Sequence, residues 1–166
     1  MGEKELVSAL SAQGLFVVTA ESISAGLVAA EITNVPGSSE VFLGGVVAYQ
    51  NSVKQELLGV SSQLMGQQGA VDAEVAAQMA TGVRQRFAKI NQLDSQKVIG
   101  VSTTGVAGPG ESEGKPPGTV FIGISSRAGD AVYAYDFLGS RDEVRKQTVE
   151  AALKSLWEQL QVLGGY

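Results

Sequence analysis

Leu15-Phe-Val-Val-Thr-Ala20, then Glu21-Ser-Ile-Ser-Ala-Gly26, then Leu27-Val-Ala-Ala-Glu-Ile-Thr33 is the stretch on which the reading of the fold turns. The first six residues form a short apolar run rich in β-branched side chains, the pattern of a buried strand. From Ser24 to Thr33 the Ala, Leu and Val residues recur at helical spacing, and Asn34-Val-Pro-Gly-Ser-Ser39 closes that helix with turn formers. A strand that passes through one tight turn into a helix is the repeating unit of an α/β sheet.

The same alternation continues on both sides. Upstream, Leu6, Val7 and Leu10 with Gly14 just after them predict a short helix over Glu3 to Gln13. Downstream, Val41 to Gln50 reads as a second strand, and Asn51 or Ser52 caps a short helix that Gly59 ends after Leu58. Asp72 caps the longest middle helix, Ala73 to about Lys89, whose Val75, Met79, Val83 and Phe87 form one core-facing stripe. Lys97 to Thr103 is a third strand, and Gly118 to Ser126 with Ala131 to Phe137 predicts a hairpin turning at Arg127-Ala-Gly-Asp130. The last helix starts near Ser140 and buries Val144, Thr148, Ala152, Leu156 and Leu160. Parallel-type alternation followed by a hairpin implies a mixed sheet with helices on both faces, in a single domain over residues 1–166.

Composition narrows the chemistry. There is no cysteine, so disulfides, thiolate metal sites and cysteine nucleophiles are excluded. There is no histidine either, which removes the Ser-His-Asp arrangement and histidine zinc sites. A net charge of −5, with 12 scattered Lys and Arg, argues against a nucleic-acid surface. The longest apolar runs fall short of the roughly 20 residues of a membrane helix, and the start lacks a signal-peptide pattern, so cytoplasmic residence is expected.

In open α/β sheets ligands bind beyond the carboxyl ends of strands, and three segments meet that description. In the first, Ser22 sits between strand and helix, where it is either a nucleophile or the cap of the helix that follows. In the second, Tyr49-Gln-Asn-Ser-Val-Lys54, Lys54 is either a general base with a lowered pKa or a solvated surface lysine, and Tyr49 taken alone is a strand-end aromatic. The third, Thr104 to Gly118, carries Thr104-Gly-Val-Ala-Gly-Pro-Gly110, which is neither a Walker loop nor the dinucleotide fingerprint. Its glycines let backbone amides approach a phosphate. Arg141 and Arg145, one turn apart, are an anion clamp if they converge and surface residues if they do not.

Taken in order, Thr19-Ala-Glu-Ser22 with Gly26, Tyr49 with Asn51 and Lys54, Gly69-Ala-Val71, Gly105-Val-Ala-Gly-Pro109, Lys115-Pro-Pro-Gly-Thr-Val120 and Phe137-Leu-Gly-Ser-Arg141 with Arg145 resemble the CinA C-terminal domain family. The resemblance implies a three-layer α/β/α sandwich that self-associates. It also implies hydrolysis of nicotinamide mononucleotide to nicotinate mononucleotide and ammonia, without metal or cofactor. In that reading Ser22 is the nucleophile, Lys54 the base, and Tyr49 a partner in proton transfer or oxyanion binding. Glu21, Ser24, Gly26, Asn51, Thr104, Gly105 and Gly108 contact substrate, and Lys115, Arg141 or Arg145 receives the phosphate. The chain departs from the family's motif at Ile23, Ser24 and Ala25, where Cys, Thr and Gly are usual, at Asp72, and in a loop about one residue shorter near Gly110 to Gly114. The alternative is a catalytically degenerate domain that binds a nucleotide or a protein partner.

Overall fold

Along a strand successive side chains point to opposite faces, and residues 16–21 use both faces to build core. The computed structural model describes residues 2–164; Met1, Gly165 and Tyr166 of the expected domain lie outside the described residues. The strands are β1 (Phe16–Glu21), β2 (Phe42–Val47), β3 (Val98–Gly105), β4 (Thr119–Ser126) and β5 (Gly129–Asp136). They form one sheet in the order β2-β1-β3-β4-β5. Strand β1 pairs in parallel with β2 and β3, whereas β3 with β4 and β4 with β5 are antiparallel, so the sheet is mixed.

The helices are α1 (Glu3–Gln13), α2 (Leu27–Thr33), α3 (Asn51–Leu58), α4 (Ser62–Gln68), α5 (Ala73–Ile90) and α6 (Arg141–Gly164). Leu10 of α1, Ile32 of α2 and Leu156 of α6 pack with Val17 and Val101 on one face of the sheet. Leu58, Met65, Met79 and Val83 of α3, α4 and α5 pack with Val18 and Ala20 on the other. This is the α/β/α layering expected from the sequence. Helix α5 presses close to the strands, because Gly100 and Gly123 lie where any Cβ would strike the carbonyls of Ala80 and Ala76. The Ser102 hydroxyl donates to the Ala76 carbonyl at 2.6 Å and closes that contact.

Several boundaries differ from expectation for physical reasons. Helix α2 starts at Leu27 instead of Ser24, since Ala25 (φ 50°) and Gly26 (φ 98°) take left-handed conformations that a right-handed helix does not admit. Strand β2 stops at Val47 and its line ends with Ala48, whose N–H reaches the Glu21 carbonyl at 2.8 Å before the chain turns toward α3. Helix α4 went unpredicted, because Gly66 and a run of glutamines hide its short apolar face; Ser61 caps it, its hydroxyl accepting from Leu64 N at 3.2 Å. Strand β3 starts at Val98, one residue after the expected Lys97, and runs two residues past the expected end, through Thr104 and Gly105, which pair with Phe121 and Val120. The hairpin turns at Arg127 and Ala128, since Ser126 already pairs with Gly129. Ser140 and Glu143 start α6 by reciprocal capping: the serine hydroxyl accepts from Glu143 N at 3.4 Å and the carboxylate accepts from Ser140 N at 2.7 Å. Among the described residues no helix is long and apolar enough to cross a membrane.

Candidate active site

The carboxyl ends of β1 and β3 and the start of α3 open into one cleft of about 330 Å³, closed on its far side by the segment 106–113. Ser22, Tyr49, Lys54, Thr104, Gly108 and Arg141 line it, and so do Asn51 and Gly105. Each of the three separate segments singled out in the sequence therefore contributes residues to one cavity.

Ser22 directly follows β1, and its N–H donates to the Thr103 carbonyl at 3.0 Å, extending the β1–β3 ladder by one step. It is half-buried. It does not cap α2. That task falls to the buried Glu21 carboxylate, which accepts from Gly26 N (2.9 Å), Val28 N (3.0 Å), Ala29 N (2.8 Å) and the Ser24 hydroxyl (2.7 Å). Four donors converging on one carboxylate hold the turn that follows Ser22 rigid.

Lys54 points inward from α3 and is 1% exposed. The solvated reading is thereby excluded. Its amine donates to the Tyr49 carbonyl at 3.2 Å. Burial pushes the amine below the ordinary lysine value, and the Glu113 carboxylate partly opposes that fall. A buried amine with reduced basicity is suited to accept a proton from a hydroxyl. Among the described residues no hydrogen bond joins Ser22 to Lys54; both line the cleft.

Tyr49 stands exposed at the rim. Its hydroxyl oxygen accepts from the Arg141 guanidinium at 3.3 Å, and the same guanidinium donates to the Gly108 carbonyl at 2.7 Å. Arg141 thus spans the mouth of the cleft and faces only neutral acceptors among the described residues.

Five expected substrate contacts do not line the cleft. Glu21 and Ser24 are buried in the capping network, where the Ser24 hydroxyl lies 2.7 Å from that of Thr103, and Gly26 belongs to the same turn. Arg145 braces this turn from α6, donating to the carbonyls of Ile23 (3.1 Å) and Ser24 (3.3 Å). Lys115 donates to the Gln68 carbonyl at 2.8 Å. Each is committed to backbone or buried partners.

Glu113, which the sequence reading passed over, does line the cleft. Ser112 and Lys115 exchange both backbone hydrogen bonds (3.0 and 2.9 Å), leaving Glu113 (φ 54°) and Gly114 (φ 76°) as a two-residue turn. Positive φ at both positions is the signature of the tight hairpin turn that favours a glycine, so the Glu-Gly pair inside the long loop was the available signal.

Comparison with known proteins agrees with this architecture. Residues 2–160 match the family model described as the CinA C-terminal domain. Two curated relatives carry the provisional name competence-damage inducible protein. The one from Bacillus velezensis is 43% identical over 147 residues, 89% of this chain and 33% of its own length. The one from Moorella thermoacetica is 43% identical over 152 residues, 91% of this chain and 35% of its own. The chain therefore spans about a third of these relatives. The crystal structure of the competence/damage inducible protein CihA from Agrobacterium tumefaciens superposes with a TM-score of 0.83 at 33% identity, covering 94% of this chain and 92% of that one.

Proposed function

For a chain that belongs to the CinA C-terminal domain family, we propose an amidohydrolase that converts nicotinamide mononucleotide to nicotinate mononucleotide and ammonia. The observation that carries this reading is the Lys54 amine, fully buried, lowered in basicity and lining the same cleft as Ser22 in a chain without histidine. Lys54 takes the hydroxyl proton as the Ser22 oxygen attacks the carboxamide carbon. The tetrahedral adduct collapses, the C–N bond breaks, and ammonia leaves with the proton returned by Lys54. Water, deprotonated by the same amine, then hydrolyses the Ser22 ester and frees the carboxylate. The Tyr49 phenol at the rim supports the proton transfers or the oxyanion.

Arg141 is the candidate for the substrate phosphate, because Arg145 and Lys115 are held away from the cleft by their carbonyl partners. A guanidinium bound only to neutral acceptors gains most from an incoming dianion. The test is ammonia release from nicotinamide mononucleotide by the purified protein. Release should vanish in Ser22→Ala and in Lys54→Ala while circular dichroism remains that of the folded chain. Undiminished turnover by Ser22→Ala would end the nucleophile assignment, and a folded wild type that releases no ammonia would favour a binding-only domain.

A further inference from the structure

The turn between α4 and α5 is tied to the cleft from two directions. The Glu113 carboxylate accepts from Ala70 N at 2.7 Å and from Val71 N at 3.4 Å. From the opposite direction the Thr104 hydroxyl donates at 2.8 Å to the Ala70 carbonyl, which shares its peptide unit with Val71 N and follows the unit that carries Ala70 N. Gly69 makes the approach possible, since a Cβ there would collide with the Glu113 carboxylate. Glu113 meanwhile holds a left-handed backbone conformation that costs a non-glycine residue about 1–2 kcal/mol. A strained glutamate reaching across a cleft to fix two consecutive peptides calls for a functional account.

The direction of the Thr104 bond supplies it. A carbonyl accepts only, so the single hydroxyl proton of Thr104 is spent on Ala70. What the oxygen then presents is lone pairs, and Thr104 lines the cleft together with Ser22 and Lys54. We propose that Glu113 is a positioning residue: by clamping the two consecutive peptides on either side of Ala70 it aims Thr104 as a pure acceptor, so that the site admits an N–H-bearing carboxamide and turns away the carboxylate that hydrolysis produces. This rests on the amidase reading and adds to it a means of recognising the amide and expelling the acid. A site built to accept from a substrate N–H rejects an analogue without one by a large factor.

The experiment compares binding of nicotinamide mononucleotide and nicotinate mononucleotide by calorimetry to the Ser22→Ala protein, in which turnover is expected to be lost. The amide should bind more tightly than the acid. Adding Thr104→Val should shrink that preference by about tenfold or more, and Thr104→Ser should restore it. Glu113→Ala should shrink it too and should speed hydrogen exchange at the Ala70 and Val71 amides, whereas Glu113→Gln, which keeps an acceptor oxygen, should retain slow exchange. Gly69→Ala offers a second route to dislodging the carboxylate if Glu113→Ala does not fold. An amide preference unchanged by Thr104→Val, or slow exchange at Ala70 and Val71 in Glu113→Ala, overturns the inference and leaves the amidase reading standing. Failure of the wild type to bind either nucleotide overturns the amidase reading and this inference with it.

Discussion

Replacing Glu21 with glutamine tests the skeleton of the site by its energetics. In the structure one carboxylate oxygen accepts from the Ser24 hydroxyl, Gly26 N and Val28 N, and the other accepts from Ala29 N. Glutamine retains one acceptor oxygen and turns an NH2 group toward whichever donors lose theirs. At best the amide oxygen serves the first three and the NH2 meets the Ala29 N–H, donor against donor. One charge-assisted bond is lost and one N–H loses its partner, for a cost of about 2–4 kcal/mol. In a domain of this size each kcal/mol moves the melting temperature by roughly 2–4 °C, so Glu21→Gln should melt about 5–15 °C below wild type. Scanning calorimetry at neutral pH reads this directly, with Glu21→Ala expected to fall at least as far. A Glu21→Gln protein that melts with the wild type but shows a raised KM would refute the capping account and restore Glu21 as a substrate contact.

Ala25 stands at φ 50°, so Ala25→Gly should raise stability by about 0.5–1 kcal/mol, the relief of left-handed strain less the extra entropy of glycine, read from chemical denaturation. On the acid side kcat/KM should rise as Lys54 loses its proton, with a midpoint below the ordinary lysine value, and Glu113→Gln should move that midpoint lower still because it removes the opposing carboxylate. Lys54 has a lower pKa folded than unfolded, so its contribution to stability falls as pH drops through that interval and stays lowest beneath it. Lys54→Met should therefore melt above wild type at pH 7, with the gain shrinking as pH approaches about 10.4, while turnover is lost. Arg141→Ala should raise KM for the mononucleotide about 10- to 100-fold and change it little for the phosphate-free nucleoside, measured by steady-state ammonia release.

The architecture was legible because periodicity reports burial. Val17 and Val18 on opposite faces of β1, and the four-residue recurrence of Val75, Met79 and Val83, are burial patterns that the sequence states outright. Helix α4 was not legible, since Gly66 and its glutamines leave only Leu64 and Met65 to signal a buried side. In the site, Ser22, Tyr49, Lys54, Thr104 and Arg141 were recognisable because they fall at strand ends or in the first turns of helices, and the cleft gathers them. Glu21, Ser24 and Arg145 belong to the same motifs but act behind the surface, because a motif residue beside a nucleophile is as useful for holding the turn as for touching substrate. Glu113 was missed for the opposite reason. Its role depends on a contact across more than forty positions of chain, to Ala70 and Val71, which no local pattern encodes.

The proposed chemistry predicts an ester between the Ser22 oxygen and the carbonyl carbon of the nicotinoyl group. Rapid quenching of the protein with nicotinamide mononucleotide in acid, followed by mass spectrometry of the peptides, looks for that adduct. A mass gain is expected on the peptide that carries Ser22 alone, and none in Ser22→Ala. Ammonia release that proceeds at the wild-type rate in Ser22→Ala, with no adduct on that peptide in the wild type, would contradict it.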